Sequence, residues 1–223
     1  MENLEKVQIF LDGGNFYHLV LKKLNIGEAD FDYETFVHMI VNGRQITDMG
    51  KRFYKGSVRE KEGNEKSKLL MSQQTKFFTD LQKSGWEIKT SKLRSRVEEI
   101  TIDKRVLEYE QLKTLGIEKI TIERMREKGI DVKIATDLIV GALDNKYDTA
   151  VLISSDSDLV PAIDWIRNRL NKKIEYIGFS IPIENDLKKS TRPLSLMFRK
   201  TDVQRVFSDM EMKKFITKQE QLF

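Results

Sequence analysis

Val7-Gln8-Ile9-Phe10-Leu11 runs directly into Asp12-Gly13-Gly14-Asn15, and Ala150-Val151-Leu152-Ile153 runs into Ser154-Ser155-Asp156-Ser157-Asp158. Each short apolar run has the length of a strand buried on both faces, and each stops at carboxylates. In an open α/β sheet, ligands sit beyond the carboxyl ends of the parallel strands. Aspartates from distant segments would meet at that edge. Crowded carboxylates need a cation to stay ionised together, and their oxygens suit a hard ion such as Mg²⁺. The two stretches outline a site for cation-assisted phosphate chemistry.

The segments between them alternate in periodicity. Asn15 to Leu24 predicts a helix with Phe16, Leu19, Val20 and Leu24 on one face, and Phe31 to Val41 predicts a second. Arg52 to Val58 predicts a strand, a polar loop covers Arg59 to Lys66, and Ser67 to Lys83 predicts a long helix. Gly85 introduces a strand at Trp86-Glu87-Ile88-Lys89. Ser91 to Lys128 is charged and blurred, and reads as a strand extension followed by a helical or irregular excursion. Val132 to Asn145 predicts a helix with Val132, Ala135, Ile139, Ala142 and Leu143 as its core stripe, widened by Ile134 and Leu138. A helix from Leu159 to Leu170 and a last strand from Lys173 to Gly178 follow. After Pro182 and Pro193, a final polar helix is expected over Val203 to Thr217. Strands alternating with helices predict an α/β fold with a mostly parallel central sheet.

The chain has 223 residues, 39 % hydrophobic and 33 % charged, which suits one core under a heavily solvated surface. A net charge of +4 permits nucleic-acid binding without requiring it. The basic residues are clustered. Lys89, Lys92, Arg94 and Arg96 outnumber Glu87, and Lys188, Lys189, Arg192, Arg199 and Lys200 lie in a stretch without acids. Either cluster can equally be a solvated surface. The absence of cysteine excludes disulfides, thiolate zinc sites and cysteine nucleophiles. The first residues lack the basic and apolar regions of a signal peptide, and no apolar run reaches about 18 residues. The expectation is a cytoplasmic protein without a membrane partner.

Asp12 and Asn15 have two readings, as helix caps or as groups facing a ligand, with Gly13-Gly14 allowing a sharp turn and close approach. Asp156-Ser157-Asp158, preceded by two serines, holds more oxygen than a cap needs. Asp137 falls in the narrow polar sector of its helix beside Lys133 and Asp144, where periodicity alone favours a solvated face. Asp131 is most simply that helix's N-cap. His18 and His38 lie on separate helices without zinc-ligand spacing, and there is no P-loop or dinucleotide fingerprint. With two histidines in the chain, Ser154 and Ser155 lack a base partner for a serine hydrolase.

Three blocks together resemble the NYN family, a branch of the PIN-like nucleases. They are Phe10-Leu11-Asp12-Gly13-Gly14-Asn15-Phe16-Tyr17, Lys128 to Lys133 with Asp137-Leu138, and Ser154-Ser155-Asp156-Ser157-Asp158-Leu159-Val160-Pro161. The resemblance covers about Val7 to Gly178 and implies a PIN-like, Rossmann-type fold. It implies a nuclease domain over residues 1–179 and leaves 180–223 as an extension packed on it. It further implies that Asp12, Asp137, Asp156 and Asp158 hold Mg²⁺ or Mn²⁺ for RNA hydrolysis, with Asn15 as a polar helper. Asp131 lies inside a family block with a less direct role. Where relatives often read Gly-Asp-Ser-Asp, this chain has Ser155, which leaves every carboxylate in place.

A bound cation would acidify water and offset charge on the phosphate, leaving a 5′-phosphate and a 3′-hydroxyl. Lys89, Lys92, Arg94, Arg96, Lys188, Lys189 and Arg192 would hold the RNA backbone. Tyr54 and Trp86 could stack on bases or belong to the core. The alternatives are an RNA-binding module of the same fold that cleaves little, and a cation-dependent phosphatase. A homo-oligomer is compatible with the sequence.

Overall fold

The structure, a computed structural model, describes residues 4–58, 63–127, 129–183 and 189–217. Strand β1 (Lys6–Asp12) lies at the centre of a seven-stranded sheet. On one side it pairs with β2 (Gln45–Ser57), β3 (Trp86–Thr101) and β4 (Lys119–Glu127); on the other it pairs with β5 (Thr149–Ile153), β6 (Lys173–Ser180) and β7 (Val203–Ser208). Six strands are parallel, and β4 alone runs antiparallel, against the second half of β3. The expected α/β fold with a mostly parallel sheet is present.

Burial explains the central position. Residues 7–12 of β1 and all five of β5 are buried, as strands covered on both faces must be. The crossovers are α1 (Gly13–Phe16) continuing as a π-turn through Leu21, α2 (Tyr33–Val41), α3 (Glu65–Lys83), α5 (Ile130–Leu143) and α6 (Val160–Leu170). One core layer is aromatic, with Phe16, Phe31, Tyr33, Phe36, Phe53 and Phe77 meeting edge to face. The other packs Phe10, Tyr54, Tyr147 and Tyr176 under α5 and α6. Each side chain of this size contributes on the order of 1.5–3 kcal/mol by burial.

Four expectations need correction. Strand β2 begins at Gln45 rather than Arg52, because Met49 at φ +51° and Gly50 let it slip register against β1 between Val7 and Ile9 and continue. The blurred stretch contains the expected strand extension, Leu93–Thr101, and a short helix α4 (Tyr109–Thr114), but then returns as a strand, Lys119–Glu127, that pairs with the extension as a two-stranded ribbon. Helix α5 buries Ile130, Ile134, Leu138, Gly141 and Ala142, whereas Val132 is 67 % and Leu143 56 % exposed. This helix is apolar around most of its circumference, so its own pattern cannot set which side faces the sheet.

The fourth concerns the last segment. Val203–Thr217 is not one helix but β7 followed by a short helix, Asp209–Lys213. The open edge of β6 offers ladder partners to a Val-Gln-Arg-Val-Phe run, and Ser208 with Glu211 forms a capping box that starts the helix afterwards. Phe207, Met212 and Phe215 then enter the aromatic core.

Candidate active site

Parallel pairing sets Leu11 opposite Ile153, so the turns after β1 and β5 emerge side by side. Asp12 closes β1 and is 6 % exposed. Its Oδ1 accepts the N–H of Asn15 at 2.9 Å, which caps α1, and its Oδ2 accepts the Ser154 hydroxyl at 3.3 Å. Asn15 Oδ1 in turn accepts the Ser155 N–H at 3.0 Å. Asp12 is therefore both a cap and a member of the strand-end cluster, while Asn15 uses its carbonyl to hold the β5 turn. A Cβ on Gly13 would lie 2.4 Å from the Phe53 ring, so this glycine serves the approach of β2 rather than that of a ligand.

Asp156 donates its N–H to Ser154 Oγ at 3.2 Å, and its Oδ1 accepts the Asp158 N–H at 2.8 Å. Beside them stands Asp131, in the first turn of α5. Burial first, then the charges of Asp156 and Asp158 and a hydrogen bond with Asp156, hold its carboxyl above the usual range. Neighbouring carboxylates disfavour a further negative charge at this position. The N-cap of α5 is Gly129 at φ +89°, not Asp131. The glycine ahead of Ile130 is the sequence signal that could have freed Asp131 for the site, since glycine is itself an acceptable cap.

Asp137 sits six residues further along α5. The Tyr54 hydroxyl donates to its Oδ2 at 2.9 Å, and Lys89 Nζ lies 3.8 Å away. Lys89 also pairs with Glu87 at 2.6 Å, and Glu87 with Arg52 at 3.1 Å. Burial and the charge of Asp137 push the Tyr54 hydroxyl far above its ordinary range, so it stays a proton donor. The structure thus groups Asp131 with Asp156 and Asp158, and Asp137 with Tyr54 and Lys89.

Among the described residues, no three acidic or histidine side chains converge closely enough to hold an ion. The chemistry of the donors nevertheless suits a divalent cation. Asp131, Asp156 and Asp158 are oxygen donors crowded together, and none forms an ion pair among the described residues. His18 and His38 are both exposed.

The basic positions divide. Lys92 and Arg96 are exposed on β3; the side chain of Arg94 and the whole of Lys188 lie outside what is described. Lys189 and Arg192 are exposed on a segment tied to the site, because the Tyr176 hydroxyl bonds both Ser155 Oγ at 2.7 Å and the Leu194 N–H at 3.2 Å. Trp86 is 3 % exposed and donates its ring N–H to Glu34, and Tyr54 is fully buried; both belong to the core and neither is open to a base. No helix among the described residues is long and apolar enough to cross a membrane.

The fold is similar to that of a crystal structure of a protein of unknown function from Vibrio parahaemolyticus RIMD 2210633, with a TM-score of 0.54. Identity is 18 %, and the match covers 94 % of this chain and 96 % of that one, a likeness of fold alone. No curated protein matches the chain. The family model of the NYN domain matches residues 6–194, which span the sheet from β1 through β6 and every acid described above. This chain belongs to the NYN domain family of the PIN-like nuclease superfamily.

Proposed function

We propose that the protein is a ribonuclease dependent on Mg²⁺ or Mn²⁺, hydrolysing RNA phosphodiester bonds at the turns after β1 and β5. Family membership gives the coarser statement, a nuclease-like, RNA-related function. The observation that carries the finer one is the joining of the two aspartate-bearing strand ends, with Ser154 bonded to Asp12 and Ser155 to Asn15, at the edge where α/β sheets bind ligands.

In this reading Asp12, Asp131, Asp156 and Asp158 hold the cation. When bound, it offsets charge on the scissile phosphate and acidifies water. Asn15 and Ser154 fix the orientation of the Asp12 turn relative to the β5 turn. Asp137 supports the site from the Tyr54 and Lys89 side and presents Lys89 toward the substrate. Lys92, Arg94, Arg96, Lys188, Lys189 and Arg192 contact the RNA backbone without reading its sequence.

The test is cleavage of labelled single-stranded RNA in Mn²⁺, with EDTA and Asp12→Asn as controls. Cutting that both controls abolish supports the proposal; full activity in either overturns it. A second reading, an RNA-binding module that cleaves little, is favoured by the lack of convergence of three acids on one point among the described residues. RNA binding without turnover in any metal would establish that reading instead.

A further inference from the structure

β3 does not end with the sheet. Its pairing with β2 stops at Lys92 opposite Ser57, and the strand continues to Thr101 with β4 as its only partner among the described residues. The ribbon therefore projects from the carboxyl edge of the parallel sheet, the edge that carries Asp12 and Asp156. Asp12, Tyr54 and Lys89 share one row across β1, β2 and β3. Arg96, seven residues past Lys89, thus stands about 23 Å further out along the strand.

The ribbon's register brings together arginines far apart in sequence. Arg96 is directly opposite Arg124, and Arg94 opposite Arg126. Because alternate positions share a face, Lys92, Arg96 and Arg124 occupy one face of β3–β4. Like charges directly opposite in an antiparallel pair destabilise it. Arg96 forms no ion pair among the described residues, and Arg124 has only Glu98, at 3.9 Å, while remaining 55 % exposed. Positions two apart along a strand are separated by roughly 6.6 Å and cross-strand partners by about 5 Å, a grid of cations suited to a chain of phosphates. A packed protein core gains nothing from such an arrangement, and an extended polyanion offsets its repulsion.

We propose that the β3–β4 ribbon is an RNA-holding arm that grips the sugar–phosphate backbone away from the scissile bond, with Arg96 and Arg124 as its central pair. The inference rests on the RNA-directed reading above and assigns the substrate's path within it. Because the arm lies well away from the aspartates, it acts more on RNA long enough to span the gap than on short fragments. Its contribution is electrostatic and independent of base identity.

The test measures binding of the full chain to fluorescent single-stranded RNAs of about 16 and about 4 nucleotides in EDTA, across a salt series. Arg96→Gln/Arg124→Gln is expected to weaken binding of the longer RNA roughly tenfold. It should also flatten the slope of log affinity against log salt by about 1.4, the value for two lost single-strand phosphate contacts. The short RNA, which can engage fewer of the ribbon's cations, should lose less affinity than the long one. Arg96→Lys/Arg124→Lys keeps the charge and should keep most of the affinity. Unchanged affinity and slope in the glutamine variant would overturn the arm. So would equal losses in the lysine variant, or an equal loss on Lys119→Gln, whose position is on the opposite face. Binding in EDTA is independent of cleavage, so failure of the ribonuclease reading appears separately, as absence of cutting in Mn²⁺.

Discussion

The backbone N–H of Ser155 donates to the side-chain oxygen of Asn15 at 3.0 Å, so the first helical turn after β1 holds the turn after β5. The relationship makes Asn15 a positioning residue and separates its geometry from its charge. Asn15→Ala should lower kcat about a hundredfold and the melting temperature by about 2–4 °C, the effect of one lost buried hydrogen bond of roughly 1 kcal/mol. Asn15→Asp retains an oxygen for Ser155 but adds a charge to the crowded edge, so at high salt, where that repulsion is screened, it should melt above the alanine variant. If the alanine and aspartate variants melt together, the bond does not hold the turns.

Asp131 is crowded by Asp156 and Asp158 in the absence of a cation. Asp131→Asn removes one of the repelling charges and should raise the melting temperature in EDTA at neutral pH by about 2 °C. If Mn²⁺ binds as proposed, the same change should reduce the stabilisation it gives. Differential scanning fluorimetry with and without Mn²⁺ reads both effects, and a lower melting temperature in EDTA contradicts the crowding.

Asp137 faces Tyr54 and Lys89 rather than the other acids. Asp137→Asn should therefore reduce cleavage far less than Asp12→Asn or Asp156→Asn, by about tenfold against a thousandfold or more. Tyr54→Phe leaves the carboxylate without its buried donor and should cost about 1–3 kcal/mol of stability. Equal losses in all three aspartate variants would return Asp137 to the ligand set.

Gly13→Ala sets a methyl group 2.4 Å from a core phenylalanine ring. Overpacking of this kind costs about 1–3 kcal/mol. The double variant Gly13→Ala/Phe53→Leu should regain part of the loss, and urea unfolding of the three proteins measures it. No recovery would place the strain elsewhere.

Asp148 joins the starts of three strands. It accepts the Lys6 N–H at 2.9 Å, pairs with Lys172 at 3.4 Å, and its carbonyl accepts from Lys173. Its carboxyl is held below the usual range, chiefly by the Lys6 N–H. A depressed carboxylate stabilises the fold above its unfolded pKa, and that stability is lost as pH falls through the folded value. Asp148→Asn should cost about 0.5 kcal/mol at pH 7, a small figure because solvent screens the site, and progressively less as pH falls through the folded carboxyl's range. A pH-independent cost would mean that charge plays no part.

The parallel sheet was legible because β1 and β5 are buried on both faces and carry uninterrupted apolar runs. Asp12, Asp156 and Asp158 were legible because they terminate those runs. Of the ribbon, the extension of β3 was legible and β4 was not, since residues 119–124 are mostly exposed and carry no burial pattern. Asp131 was hidden by a local explanation, capping, which only the position of the Asp156 turn displaces. The orientation of α5 was likewise beyond its own sequence, because apolar residues on nearly every side leave the choice of buried face to Tyr147 and Gln8, which crowd Gly141.

The hydrogen bond from Ser154 to Asp12 spans 142 residues of sequence. On the ribosome, Asp12 emerges early and waits for more than half the chain before its partner exists. β1 can meanwhile pair only with β2, and α5 has no β5 turn to face. The two turns of the carboxylate edge are thus brought together only after β5 has been made, late in synthesis.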